Sequence, residues 1–206
     1  MSASEPPLSD ALAQIADIRR QMARTEVFRG YKSLTVGFSG LLGLVAAAMQ
    51  RTCVPDPASD VASYLLLWVG VAVVSVALIV GELVWRVRTT TVRGALREQS
   101  GLAAEQFLPC LVVGALLTLC IWQAAPQTAW MLPGLWSLLF GLGVLASYRS
   151  MPGEFFGVGL FYIACGCVAL VVGQGRGAFS PLLMAVPFGG GQLVSAAILY
   201  LRLERS

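Results

Sequence analysis

Apolar residues in this chain come in six long runs, and short stretches of polar, basic or turn-forming residues separate the runs. A helix needs about 20 apolar residues to cross a hydrocarbon layer of roughly 30 Å, because each residue adds ~1.5 Å. The predicted spans are residues 34–49, 61–85, 107–124, 129–148, 155–173 and 179–201. The first span is short unless it extends back through Tyr31. The pattern predicts an all-α, polytopic membrane bundle of six transmembrane helices within residues 31–206.

Residues 1–30 form a polar arm in which apolar side chains recur at helical spacing. This spacing predicts an N-terminal amphipathic helix on the cytoplasmic side, and Pro6 and Pro7 suit its start. The helix either lies along the membrane surface, with its arginines near lipid phosphates, or binds another subunit or a cytoplasmic partner. The residues predicted to make the partner contact are Leu8, Leu12, Ile15, Ile18 and Met22.

Basic residues predict how the chain is threaded, because cytoplasmic loops carry an excess of Lys and Arg. Five of the 14 basic residues precede the first span, four lie between the second and third, one follows the fourth, and two follow the sixth. The opposite side has only Arg51 and Arg176. This distribution predicts an even number of spans and places both termini in the cytoplasm.

The composition excludes an ordinary soluble enzyme, because 57% of the residues are hydrophobic and only 12% are charged, against about 25% charged in soluble domains. The chain has no histidine, which removes the commonest general base and the commonest metal ligand. We therefore expect no catalytic residue, no metal and no cofactor. The net charge of +3 follows from the threading, so it is no sign of a nucleic-acid partner.

The most unusual stretch lies near the middle of the sixth span and consists of Pro187, Gly189, Gly190, Gly191 and Gln192, with Phe188 between them. Proline removes a backbone hydrogen bond and glycine relaxes the helix. One interpretation is a broken helix whose carbonyls, with the Gln192 amide, hold an ion or small ligand. The other is a kinked helix whose glycines let a neighbouring helix pack closely. The second is favoured, because no charged residue lies at the same depth.

Small residues at a spacing of four also mark the faces of other spans. Ser39, Gly43 and Ala47 lie on one face of the first span, and Ser137 and Gly141 lie on one face of the fourth. Such faces bring helices close together. They predict a compact bundle and are consistent with a homo-oligomer, without separating contacts inside one subunit from contacts between subunits.

Two acidic residues lie near the basic ends of predicted spans. Glu82 is four residues before Arg86, the spacing of a helical ion pair, and Glu154 is also expected to pair with a nearby arginine. The stretch 86–106 reads as helical, so the second helix is expected to extend beyond the membrane.

Three segments resemble a family of uncharacterised bacterial six-span membrane proteins. The segment IADIRRQMARTEVF at 15–28, followed by GFSGLLG at 37–43, is similar to that family's opening. LWSLLFGLG at 135–143 is similar to its fourth span, and PFGGGQLVSAAILY at 187–200 to its ending. The chain departs from the family at Gln192, where His is frequent, and near Ala197, where Gly is usual. The resemblance implies the six-span topology and a bacterial inner membrane, and it implies no activity.

Taken together, these features predict a non-enzymatic membrane protein that works through association, either as an oligomer or as a scaffold or regulatory module for a protein partner. Membrane lipids surround it, and the N-terminal arm is the predicted contact element. The alternative is a small channel or facilitator for a neutral or lipophilic solute, centred on the broken sixth helix.

Overall fold

The computed structural model describes residues 33–89, 93–148 and 151–204, and these ranges are helical with short connections and no strand. The helices are α1 (Ser33–Cys53), α2 (Val61–Thr89), α3 (Arg93–Ala124), α4 (Leu132–Ser147), α5 (Phe155–Val172) and α6 (182–204). Within these described ranges, six helices are long and apolar enough to cross a membrane. The all-α class and the six spans are thereby confirmed, and they are typical of a multi-pass membrane protein. The arm of residues 1–30 lies outside the described ranges.

The helices around residues 86–106 divide differently from the expectation. α2 ends at Thr89, and α3 begins at Arg93. The apolar span within α3 begins only at Glu105. The helical extension beyond the membrane span therefore belongs mainly to α3, because residues 93–104 add three turns to its N-terminal end.

The two ends of the bundle differ in charge. We call the end where α2, α4 and α6 finish the basic end. The opposite end, formed by residues 54–60, 125–131 and 173–181, is the far end. Its connections are short: the Asp60 carboxylate caps α2 by accepting the Ser63 N–H at 3.0 Å, and a 3-10 turn over Pro126–Met131 leads directly into α4.

Helices that are consecutive in the chain pack against each other, except for α2 and α3, and α1 also packs against α6. α1 packs against α2 and α6, α6 packs against α5, α5 against α4, and α4 against α3, whereas α2 and α3 contact each other little. Two apolar cores result. The far-end core centres on Tyr64, Trp68 and Leu132, and the basic-end core centres on Phe155 and Tyr162. Phe188 of α6 packs against both cores.

The backbones of α4 and α5 approach each other closely at two pairs of glycines. A Cβ on Gly166 would lie 2.8 Å from the Gly134 carbonyl oxygen, and a Cβ on Gly141 would lie 2.9 Å from the Gly159 carbonyl oxygen. The paired glycines are seven residues apart on each helix, so both contacts fall on one face. Close approach of this kind is what small residues provide between membrane helices.

Candidate functional site at the broken sixth helix

The sixth helix changes its geometry at the segment that the sequence singled out. Residues Ala185–Gly191 form a π-helix, and the α-helix resumes at Gln192. Pro187 has no N–H to donate inside this stretch, which is one reason why the regular hydrogen-bond ladder does not run through it. π-Helical turns inside α-helices are often found at functional sites, so each residue of this segment needs to be placed.

Gly189 of α6 and two glycines of α1, Gly40 and Gly43, bring these helices together. A Cβ on Gly189 would lie 2.7 Å from the Cγ atom of Leu44 in α1. A Cβ on Gly40 would lie 3.0 Å from both the Gly189 carbonyl oxygen and the Gln192 Cβ atom. Gly43 contacts the Phe188 backbone at 3.4 Å by the same measure. This side of the segment is therefore filled by close helix packing and leaves no room for a ligand.

Gly191 faces a different neighbour, the ring of Tyr162 in α5. A Cβ at Gly191 would lie 2.8 Å from the Tyr162 hydroxyl oxygen. Only a residue without a side chain leaves space for the tyrosine to lie against α6 at this depth. Gly191 is therefore the position that admits a polar side chain to the middle of the bundle.

Gly190 and Gln192 are less constrained. A Cβ on Gly190 would meet nothing within 4 Å, and Gly190 is half-buried between the exposed residues Val186 and Val194. Gln192 is half-buried and contacts α1 through its Cβ atom. The side of α6 that carries Gly190 consequently has space that the other two glycines lack.

The rings of Phe107, Phe140 and Phe188, from three other helices, form a cluster with the Tyr162 ring of α5. The Phe140 ring centroid lies 4.6 Å from that of Tyr162, 5.0 Å from that of Phe107 and 5.6 Å from that of Phe188. Tyr162 and Phe188 are 5.8 Å apart. Tilted and edge-to-face arrangements at these distances are favourable for aromatic pairs. The cluster joins α3, α4, α5 and α6 in the basic-end core.

The Tyr162 hydroxyl is the unusual group in this cluster. The side chain is fully buried, and within the described part of the chain its hydroxyl has no hydrogen-bond partner. A buried polar group without a partner costs about 1–3 kcal/mol, and such groups usually have a water, an ion or a functional role. A phenol hydroxyl can both donate and accept a hydrogen bond, so this group is suited to bind a small molecule that forms hydrogen bonds.

A second polar arrangement ties the far-end core together. The Gln50 amide donates to the Phe179 carbonyl at 2.7 Å and accepts from the Trp68 indole N–H at 3.0 Å. The Tyr64 ring lies edge-on to Phe179 with centroids 4.8 Å apart. The buried Tyr64 hydroxyl also has no hydrogen-bond partner in the described ranges. Through these two hydrogen bonds, the Gln50 side chain links α1, α2 and the connection before α6.

The two acidic residues near the basic end have partners from other helices. Glu82 accepts a hydrogen bond from the Thr35 hydroxyl of α1; the side chain of Arg86, its predicted partner, is not described. Glu154 forms an ion pair with Arg202 of α6, which confirms that prediction. The N–H of Glu154 itself and the Arg202 guanidinium hold the pKa of this carboxyl below its ordinary value.

The predicted packing residues are found on buried faces. Ser39, Gly43 and Ala47 are buried on α1, and Ser137 and Gly141 are buried on α4. Ser137 donates its hydroxyl to the Pro133 carbonyl. The residues of the predicted partner contact, Leu8, Leu12, Ile15, Ile18 and Met22, lie outside the described residues.

Sequence reasoning missed Tyr162, Gly40 and Gln50. A signal existed for two of them: Tyr162 falls in the middle of a span, whereas tyrosine is usual at the interfaces, and Gln50 is an amide at the end of an apolar run. Gly40 lies one residue from the predicted face of Ser39 and Gly43, and only the partner helix shows which of them makes the tightest contact.

No protein-family model, no curated protein and no solved structure matches this chain. Function is therefore argued from the molecule's own geometry.

Proposed function

We propose that this protein is a non-enzymatic, multi-pass protein of a bacterial inner membrane that acts by associating with a second copy of itself. The observation that carries the proposal is the sparse packing of α2 and α3. Only 17% and 11% of the residues in their most apolar windows are buried, against 44% in the span that contains α4. These two helices contact each other little, so among the described helices each has one main neighbour.

The pattern of burial along α2 and α3 supports this argument. α3 has one narrow buried or half-buried stripe, and α2 has one from its third turn onward, whereas the first turns of α2 are buried more broadly around Tyr64, Leu65 and Trp68. The narrow stripe on α2 includes Val71, Ser75, Ile79 and Glu82, and the stripe on α3 includes Phe107, Cys110, Gly114, Thr118 and Ile121. Helices with two neighbours, such as α1, bury a broader face.

A face of α2 with small residues is available for the second copy. Gly70, Ala77 and Gly81 are seven and four residues apart, which places them on one side of the helix. A Cβ on Gly70 or Gly81 would meet nothing within 4 Å. The glycines of the α4–α5 contact are occupied inside the chain, whereas no described residue packs on Gly81 on this face of α2. A symmetric α2–α2 contact would use it.

The charge distribution supports the proposed threading, because the arginine-rich segments all fall at one end of the bundle. Both termini are then cytoplasmic. The resemblance to bacterial six-span proteins agrees with this location. We include the arm of residues 1–30 as a second contact element: a protein lacking residues 1–28 is expected to insert and fold, and to lose part of its association or a cytoplasmic partner.

The experiment is the mass of the purified protein, measured by light scattering in detergent and by native mass spectrometry. The wild-type protein is expected to be a dimer. Gly81→Leu is expected to be monomeric, because the leucine side chain keeps the second α2 at a distance. Gly157→Leu is the matched control, since Gly157 is also exposed with no neighbour within 4 Å, and it is expected to stay dimeric. A monomeric wild-type protein in both detergent and lipid nanodiscs would contradict the proposal.

A second candidate function is a facilitator for a small neutral solute. Two buried tyrosine hydroxyls, which have no hydrogen-bond partner among the described residues, favour it. Tyr64 lies in the far-end core and Tyr162 in the basic-end core, and Phe188 of the π-helical segment packs against both. A solute that hydrogen-bonds would meet one phenol in each half of the bundle. Tyr162→Phe removes the hydroxyl and keeps the ring, so this substitution tests the role of the hydroxyl.

Flux of water and glycerol into proteoliposomes distinguishes this second candidate. Gly190→Leu and Tyr162→Phe are expected to abolish flux while the protein still folds, because Gly190 has space for a side chain and phenylalanine retains the ring. Gly157→Leu serves again as the control. Equal flux with and without protein would eliminate the facilitator and leave the association proposal standing.

A further inference from the structure

A shallow concavity of about 480 Å³ opens at the far end, where α2 begins and α3 ends. Its lining consists of Ala58, Ser59, Asp60, Val61, Ala62, Trp122, Pro126 and Gln127. We propose that this concavity binds the ammonium headgroup of a zwitterionic membrane lipid such as phosphatidylethanolamine.

The Asp60 carboxylate supplies the negative charge. It is held in place by the Ser63 N–H, which donates to Oδ1 at 3.0 Å. Hydrogen bonds from the Ser63 hydroxyl and N–H keep the pKa of Asp60 below its ordinary value, so the carboxylate is ionised at neutral pH. The residues that line the concavity include no basic side chain. The site therefore favours a cation and disfavours an anionic headgroup.

Trp122 supplies the second element of recognition. Its side chain is 47% exposed and forms the α3 wall of the concavity. The face of an indole ring attracts ammonium groups, with about 0.5–1 kcal/mol at exposed sites. Gln127 and Ser59 provide neutral hydrogen-bonding groups to the same space. An anionic oxygen together with an aromatic face is a combination that suits an organic ammonium better than a bare metal ion.

The surroundings indicate a lipid as the source of the ammonium. The concavity lies where two apolar spans end, which is the depth of lipid headgroups and of tryptophan in membrane proteins. Leu66 of α2 and Leu119 of α3 are exposed nearby along the chain, at 78% and 48%. Because α2 and α3 contact each other little, an acyl chain can lie against them while the headgroup occupies the concavity.

Native mass spectrometry of the full-length protein, titrated with phosphatidylethanolamine or phosphatidylglycerol, tests the proposal. Phosphatidylethanolamine is expected to bind the wild-type protein, and its affinity is expected to fall by about two- to fivefold in Asp60→Asn and in Trp122→Leu. Asparagine is also a good helix cap, so Asp60→Asn retains the start of α2. Asp56→Asn is the matched control, because Asp56 is an exposed acid of the same loop that does not line the concavity.

The outcomes separate the two sources of an ammonium group. Free ethanolamine at millimolar concentration is expected to compete weakly with the lipid. Binding of ethanolamine without any lipid adduct would overturn the lipid assignment. Equal binding of phosphatidylglycerol, or equal loss of affinity in Asp56→Asn and Asp60→Asn, would overturn the site itself.

Discussion

The α4–α5 pair and the α2–α3 pair are both consecutive helices joined by a short connection at the basic end, and they pack in opposite ways. α4 and α5 touch through backbone at Gly134–Gly166 and Gly141–Gly159. α2 and α3 separate, and each attaches to a different neighbour. Chain adjacency alone therefore does not decide which membrane helices pack together.

The residue types on the facing surfaces explain this difference. Between membrane helices there is no water to expel, so association depends on van der Waals contact and hydrogen bonds. Glycines on both α4 and α5 allow a long, close contact. The attachments of α2 and α3 instead include tryptophan hydrogen bonds, from Trp68 to Gln50 of α1 and from Trp136 to Thr118 of α3. Polar links hold the helices for which close backbone contact is not available.

The largest expected effect is a difference in the free energy of unfolding between two Gly→Ala variants, one at the α4–α5 contact and one on α2. Gly141→Ala would place a Cβ 2.9 Å from the Gly159 carbonyl oxygen and 3.1 Å from the Ile163 backbone nitrogen, so the helices must move apart. The expected loss in the free energy of unfolding is about 1–3 kcal/mol. Gly81→Ala on α2 meets no atom within 4 Å, and alanine favours helix by about 0.5–1 kcal/mol. The monomer is therefore expected to become slightly more stable.

Unfolding in mixed detergent micelles, followed by circular dichroism, measures both changes. Gly157→Ala on α5 is the control for an exposed glycine on the closely packed pair, and it should behave like Gly81→Ala. Equal destabilisation by Gly141→Ala and Gly157→Ala would contradict the role given to the backbone contact.

These contacts show which parts of the molecule a sequence can predict. The six spans could be predicted because apolar run length is a local property: all six predicted spans agree with the structure to within four residues at each end, and the second agrees at both ends. The faces were partly predictable, since Gly43 and Gly141 are on buried faces. The partners were not, because the Gly141–Gly159 and Gly191–Tyr162 contacts depend on which helix lies opposite. That choice is made by the whole bundle.

The second effect concerns the attachment of α2 to α1 at the far end. Gln50→Leu removes the bonds to the Phe179 carbonyl and the Trp68 indole and leaves both groups buried without these partners. The expected cost is about 1–2 kcal/mol, in the range for interhelical hydrogen bonds in membranes and unsatisfied buried groups. Trp68→Phe, alone and combined with Gln50→Leu, measures the coupling between the two side chains. The double variant should lose less free energy of unfolding than the two single variants lose in sum. Additive losses would show that the two side chains act independently.

The third effect concerns α3, which Trp136 of α4 links through the Thr118 hydroxyl at 2.9 Å. Thr118→Val keeps the shape and removes the acceptor, with an expected cost of about 0.6–1.7 kcal/mol. Because α3 has one main neighbour among the described helices, hydrogen exchange at its backbone amides should increase more than exchange at those of α5. Hydrogen exchange by mass spectrometry measures this; a uniform increase over all six helices would contradict the independent attachment of α3.

The smallest effect is expected at the Glu154–Arg202 ion pair, which joins α5 to α6 outside the membrane span. The glycine contacts already hold α5, and exposed ion pairs contribute little. The N–H of Glu154 itself and Arg202 lower the pKa of this carboxyl from 4.5. Its stabilising contribution is therefore fully present above pH 4.5 and is lost as the pH falls through the lowered pKa. The difference in thermal stability between the wild-type protein and Glu154→Gln should accordingly be constant at neutral pH and disappear in acid. A difference that grows as the pH falls would assign the stabilisation to the protonated form and would contradict the ion pair.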